Sequence, residues 1–160
     1  VYATGPLGSA SCLAGIARAR DSGVRVIVDP KGSDYARYSG ATILTPNAAE
    51  LTAATGLSVT TDSEAEQAAR KLLVSTKVEA VLVTRGHRGM SIIEADYASH
   101  LTVRAREIFD VSGAGDTVAA ALAAAMSVGA SLPEAAELAT SSSHSSSRFG
   151  TASPAEMRMM

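Results

Sequence analysis

An open α/β sheet, largely parallel, is the fold class this sequence predicts, and three observations predict it. Strand-like and helix-like segments alternate along the chain, the pattern of strands joined by crossover helices. Three short runs rich in Val, Ile and Leu read as buried central strands: Val24–Asp29, Ala41–Thr45 and Val78–Thr84. A polar, chemically capable group follows each run, and open parallel sheets carry their sites beyond the carboxyl ends of strands.

Taken in order, Ser9 to Ser22 is helix-like, with Leu13, Ile16 and Ala17 on one face and Gly23 as its stop signal. Val24–Asp29 is a strand ending in an acid. Pro30 to Gly40 reads as a loop, and Ala41–Thr45 as the next strand. Asn47 to Thr55 and Ser63 to Ser75 have helical patterns, each opened by a capping-box spacing: Asn47 with Glu50, and Ser63 with Glu66. Val78–Thr84 is the third strand. Met90–Glu94 and His100–Arg104 alternate in period two, as an edge hairpin would. Gly115 to Val128 and a segment opened by Ser131, with Glu134 three residues on, complete the helices. There is no internal repeat.

The composition sets limits. With 160 residues, 46% of them hydrophobic, the chain can bury one core and reads as one domain. The net charge of −2 comes with no basic run, so neither nucleic acid nor an anionic membrane surface is favoured as a partner. The single Cys12 excludes an internal disulfide and a cysteine-based metal site, which fits a reducing cytoplasm. No apolar run reaches the 18 or so residues that span a bilayer, and no signal segment opens the chain. It opens with Val in what reads as the end of a strand, so a fragment of a longer protein is expected.

The most informative stretch is Phe109-Asp-Val-Ser-Gly-Ala-Gly-Asp-Thr117. A Gly113-Ala114-Gly115 turn runs straight into an alanine-rich helix with Asp116 in its first turn. Glycines let the backbone approach a ligand, and free N–H groups at a helix start hold anions. A carboxylate there can take a proton from a hydroxyl while the amides hold the phosphate it attacks. It can equally be an acid that complements the helix dipole.

The longer string Asp110-Val-Ser-Gly-Ala-Gly-Asp116, followed by Ala120, Ala121 and Leu122, resembles the C-terminal signature of the ribokinase-like (PfkB) sugar kinases. That resemblance implies a three-layer α/β/α fold with a mainly parallel central sheet. Here residues 1–160 would be the C-terminal portion of one kinase domain, with the N-terminal half and the lid missing. It further implies Asp116 as catalytic base, Gly113, Ala114 and Gly115 as an anion hole, and Asp110 as a ligand of a monovalent cation such as K⁺.

Asn47-Ala48-Ala49-Glu50 is by itself a helix cap. Beside that signature it resembles the family's NxxE motif, which implies contact with ATP phosphates and with Mg²⁺, Glu50 acting through water. Thr84-Arg-Gly86-His-Arg-Gly89 reads as a β-turn after a strand. It also resembles the family's TxGxxG segment along the nucleotide, which implies Thr84, Gly86 and Gly89 as nucleotide contacts. His87 reads as a solvated loop residue.

Val28-Asp-Pro-Lys-Gly-Ser-Asp-Tyr-Ala-Arg-Tyr-Ser-Gly-Ala-Thr-Ile-Leu-Thr-Pro-Asn47 is similar to one branch of the family, the heptose 7-phosphate kinases. The branch implies Asp29 and Lys31 as substrate residues and phosphorylation of a phosphosugar at its anomeric C1 hydroxyl for ADP-heptose synthesis. It also implies a fused or separate adenylyltransferase as partner, and a homodimer is open. Thr4 stands where the branch has Lys. The serine-rich segment 140–148 departs from it too, since serines compete with helix hydrogen bonding and bury no apolar surface. Two alternatives stay open: a phosphofructokinase or ribokinase type, and a degenerate nucleotide-binding module without turnover.

Overall fold

The structure is a computed structural model that describes residues 9–102 and 114–142. The elements run α1 (Ser9–Asp21), β1 (Ile27–Val28), a 3-10 turn (Tyr35–Tyr38), β2 (Ile43–Leu44), α2 (Ala48–Thr55) and α3 (Asp62–Thr76). Then come β3 (Ala80–Thr84), a second 3-10 turn (Gly86–Arg88), β4 (Met90–Glu94), β5 (Ala98–Leu101), α4 (Ala114–Ser127) and α5 (Leu132–Ser142).

The strands form one sheet in the order β1-β2-β3-β4-β5. β1, β2 and β3 are parallel, whereas β3-β4 and β4-β5 are antiparallel. The described sheet is therefore mixed, with the expected parallel part confined to β1–β3 and the expected hairpin closing one edge.

Alternate residues of each strand enter two separate cores, because successive side chains leave opposite faces of a pleated strand. On one face Val28, Leu44, Val81, Val83 and Ile93 pack with residues of α1, α2 and α3. On the other, Ile27, Ile43, Leu82 and Ile92 pack with Val118 and Leu122 of α4 and Leu132 of α5. Helices on both faces of one sheet make the three-layer α/β/α arrangement. Alanines set the close approach: Ala65, Ala68 and Ala69 of α3 and Ala135, Ala136 and Ala139 of α5 are all fully buried. A fully buried Leu or Ile such as Leu44 or Ile43 stabilises the fold by about 1.5–3 kcal/mol.

Local differences from the sequence expectations have local causes. β1 and β2 are two residues long, although backbone bonding continues past them; Thr45 N–H donates to the Val28 carbonyl at 3.0 Å. Val24 lies outside β1 and is half exposed. α3 begins at Asp62, one residue before Ser63. Its capping box pairs Thr61 with Glu64, because one Glu64 oxygen accepts from Ser58 Oγ and from the N–H groups of Thr60 and Thr61. Glu66, expected in a box with Ser63, instead pairs with Arg70 at 2.8 Å. The Pro30–Gly40 loop contains the Tyr35–Tyr38 turn. β5 starts at Ala98 rather than His100, and Arg104 lies outside the described residues. α5 carries the helix through Ser142, into the serine-rich segment; the rest of that segment lies outside the described residues.

Candidate active site

Three parallel strands in register bring their carboxyl ends to one edge. Val28 pairs with Leu44, and Leu44 with Val81, so the residues that follow emerge side by side. Beyond the named strands, Asn47 and Thr84 form a further parallel bridge, and Thr84 N–H donates to the Pro46 carbonyl at 3.0 Å. The edge therefore gathers Asp29-Pro-Lys31, Asn47–Glu50 and the start of the Thr84–Gly89 loop.

Lys31 is the hub of this edge. Its Nζ lies 2.9 Å from Asp29 Oδ2 and 3.1 Å from Glu50 Oε1. Asp29 is buried, 5% exposed, so its carboxylate needs a partner there. Glu50 in turn uses its second oxygen, Oε2, to accept the Asn47 N–H at 2.9 Å, while Asn47 Oδ1 accepts the Glu50 N–H at 2.9 Å. The capping box and the candidate ligand set are thus the same two residues. Burial works against the Lys31 charge, but the hydrogen bonds it donates to Asp29 and Glu50 outweigh that and hold the ammonium well above the usual lysine range. Lys31 is accordingly a fixed positive charge with its head in solvent, the kind of group that meets a phosphate. Ala48 and Ala49 fill the first turn of α2 between Asn47 and Glu50.

Sequence reasoning missed Tyr35 and Tyr38. Both are buried under this edge, and the Tyr38 hydroxyl bonds the backbone of Lys31. The available signal was two tyrosines three residues apart in a segment otherwise rich in polar residues.

The Thr84–Gly89 loop is organised by its own turn. Arg85 N–H donates to the Gly89 carbonyl at 2.8 Å, and Gly89 N–H to the Gly86 carbonyl at 2.9 Å. Gly89, at φ +86°, lies so close to β5 that an added Cβ would stand 1.8 Å from the Leu101 carbonyl oxygen. Packing against β5 and the positive φ together require Gly89, and Gly86 adopts φ +59° in open space. His87 is exposed, as a loop residue would be. Arg85, singled out by no motif, is buried; its guanidinium pairs with Asp62 at the start of α3, and its Nε and Nη1 have no hydrogen-bond partner among the described residues.

Ala114, Gly115 and Asp116 form the first turn of α4, so the helix begins one residue before Gly115. Gly113 and Asp110 lie outside the described residues. Among the described residues no group of three or more His, Cys, Asp and Glu gathers as a tight metal cage does. Mg²⁺ that arrives with a nucleotide needs only one or two carboxylates besides phosphates and water, and Glu50 with nearby Asp29 fits that smaller demand. Among the same residues, no helix is long and apolar enough to cross a membrane.

Comparison with known proteins agrees with this architecture. The family model described as pfkB family carbohydrate kinase matches residues 2–158. The "Bifunctional protein HldE" of Paramagnetospirillum magneticum is 54% identical over 139 residues, which are 86% of this chain and 28% of that protein. The protein of the same name in Shewanella amazonensis is 48% identical, over 86% of this chain and 29% of its own length. The chain thus spans under a third of these relatives. Among solved structures, Arabidopsis thaliana ribokinase complexed with ribose and ATP superposes with a TM-score of 0.75 at 29% identity, over 86% of this chain and 46% of that one. A phosphofructokinase-2 variant from Escherichia coli gives 0.76 at 22% identity, over 89% and 48%, a likeness of fold.

Proposed function

Because the chain belongs to the pfkB family of carbohydrate kinases, we propose that it is the C-terminal portion of an ATP-dependent kinase domain that phosphorylates D-glycero-D-manno-heptose 7-phosphate at C1. The observation that carries this reading is the Lys31 ammonium held between Asp29 and Glu50 where parallel strands end. It supports the substrate role of the Asp29-Pro-Lys31 string, the feature that resembles the heptose 7-phosphate kinase branch. Relatives named as bifunctional HldE proteins support the same branch.

In the proposed reaction the sugar C1 oxygen attacks the γ-phosphorus of ATP. The new O–P bond forms as the bond from phosphorus to the ADP oxygen breaks, and the hydroxyl proton passes to Asp116. The amides of Gly113, Ala114 and Gly115 would receive charge on the transferring group, the point at which phosphoryl-transfer enzymes gain most of their rate. Asn47 and Glu50 would face the nucleotide phosphates, Glu50 holding water around Mg²⁺, whose contribution when bound is to neutralise phosphate charge. Lys31 and Asp29 would orient the phosphosugar. Thr84, Gly86 and Gly89 would line the nucleotide, and Asp110 would help hold K⁺ or a similar ion.

The setting this implies is cytoplasmic, in the supply of ADP-heptose for lipopolysaccharide. An adenylyltransferase, fused or separate, would use the product, and a homodimer is compatible with it. The 160-residue chain alone is expected to be inactive, for want of the half that holds the sugar.

A substrate panel tests the reading. The complete kinase domain is supplied with MgATP and, in turn, heptose 7-phosphate, fructose 6-phosphate and ribose, and the products are read by phosphorus NMR. A C1 phosphate formed chiefly from the heptose supports the proposal. Preference for fructose 6-phosphate or ribose moves the chain to another branch, and no turnover with any sugar favours a degenerate nucleotide-binding module.

A further inference from the structure

We propose that Tyr38 is a positioning residue whose hydroxyl fixes Lys31 in the candidate active site. The inference deepens the kinase reading above and rests on it for its kinetic consequences. Its geometry stands apart from that reading.

The Tyr38 hydroxyl accepts the Lys31 N–H at 3.1 Å and donates to the Lys31 carbonyl at 3.2 Å. A phenolic hydroxyl offers one donor and acceptor lone pairs, so a single group satisfies both backbone atoms of one residue. Lys31 lies in no helix or strand that would fix those atoms otherwise. Its neighbours narrow the chain on both sides: Pro30 locks its own φ, and Gly32 turns the backbone at φ +80°. With the clasp, the stem of Lys31 starts from one fixed point, and its ammonium reaches both Asp29 and Glu50.

Tyr38 is itself held firmly. Its ring is buried, meets Tyr35 edge-on at 5.9 Å between centroids, and lies under the Arg37 guanidinium at 5.3 Å. The Tyr35–Tyr38 turn packs into the same core as β1 and β2, so the clasp is anchored to the sheet. Tyr35 supplies an internal control, since its hydroxyl is buried without a hydrogen-bond partner among the described residues.

The test uses Tyr38→Phe, which keeps the ring and removes the hydroxyl, in the complete kinase domain. Tyr38→Phe is expected to raise KM for the phosphosugar by roughly 3- to 10-fold, the worth of a lost hydrogen bond. In a Lys31→Met background the same change is expected to add almost nothing, because its effect runs through Lys31. Tyr35→Phe is expected to leave KM alone. Equal losses in both backgrounds, or an equal loss from Tyr35→Phe, would make Tyr38 a packing residue and overturn the proposal. One measurement needs no turnover. The Lys31 amide should exchange with solvent more slowly than that of Gly32 in the wild-type protein and lose that protection in Tyr38→Phe. A fast-exchanging Lys31 amide, or protection that survives in Tyr38→Phe, overturns the positioning role even in an active kinase. Protection lost with the hydroxyl, without turnover on any sugar, would uphold positioning and sink the kinase reading alone.

Discussion

Lys31 Nζ stands 3.1 Å from Glu50 Oε1, joining the loop after β1 to the first turn of α2, 19 residues apart in sequence. Glu50 is thereby engaged at both oxygens, since Oε2 accepts the Asn47 N–H that starts α2. The helix cap and the ion pair are built on one carboxylate. A cation that enters this edge must compete with Lys31 for Oε1, and a phosphate must compete with Oε1 for the Lys31 ammonium, while the cap persists through Oε2.

Glu50→Gln separates these two roles. The amide carbonyl can still accept the Asn47 N–H, whereas the charge that faces Lys31 is lost. The expected outcome is a shift in the Mg²⁺ dependence of turnover, with a small change in melting temperature. A loss of about 1 kcal/mol in stability with unchanged turnover would leave Glu50 as a cap alone.

The Lys31 pair also has a pH signature. Its ammonium is more basic in the folded protein than in the unfolded chain, so the pair's stabilisation is complete below the usual lysine pKa of about 10.4. It declines as pH rises above that value toward the higher folded one. Lys31→Met is therefore expected to be less stable than wild type at pH 8, with the gap closing in strongly alkaline buffer. The gap is expected to be small, because the lysine head is largely exposed. Denaturant melts at pH 8 and pH 11 check this; a gap that widens with pH would contradict it.

Gly89 and Gly86 should respond differently to alanine. At Gly89 the new methyl would strike the Leu101 carbonyl, and φ +86° with ψ −139° is a conformation open essentially to glycine. Gly86 sits in the left-handed region with free space, where alanine costs about 1–2 kcal/mol. Gly89→Ala is expected to lower the melting temperature clearly more than Gly86→Ala. Equal effects would mean that β5 yields at Leu101.

What was legible in the sequence was local. The Asn47–Glu50 box, the exit of each strand into a polar loop and the antiparallel hairpin depend on neighbours a few residues apart, and all appear. The start of α3 was misplaced because Thr61/Glu64 and Ser63/Glu66 carry the same spacing, and only the Ser58 and Thr60 contacts select the first. The close approach of Gly89 to β5 is a tertiary fact that no local pattern announced. The Lys31 bridge and the Tyr38 clasp also stayed hidden. Each joins residues whose meeting depends on how loops fold over the strand ends.

The Arg85–Asp62 pair illustrates the same limit. Arg85 is buried with two unpartnered nitrogen atoms, so it depends on Asp62 for its charge balance. Asp62→Asn leaves that cation uncompensated, while Arg85→Met removes both the charge and the unmet donors. Asp62→Asn is therefore expected to destabilise more than Arg85→Met. Because the Arg85 hydrogen bond lowers the Asp62 pKa, the contribution of Asp62 is present above the usual carboxylate range and fades as pH falls through the depressed value. Thermal melts of the two variants at pH 7 and pH 3 measure both effects.

The central claim is phosphoryl transfer with Asp116 as base, and single-turnover kinetics of Asp116→Asn in the complete kinase domain tests it most directly. Asp116 lies in the first turn of α4. It would become effective as the sugar hydroxyl turns acidic during attack. Loss of a general base typically costs roughly 10²–10⁴ in rate. The account predicts that loss in the chemical step on heptose 7-phosphate, with ATP affinity little changed. A variant that transfers phosphate at near wild-type rate would contradict it and leave Asp116 as an acid that only stabilises its helix.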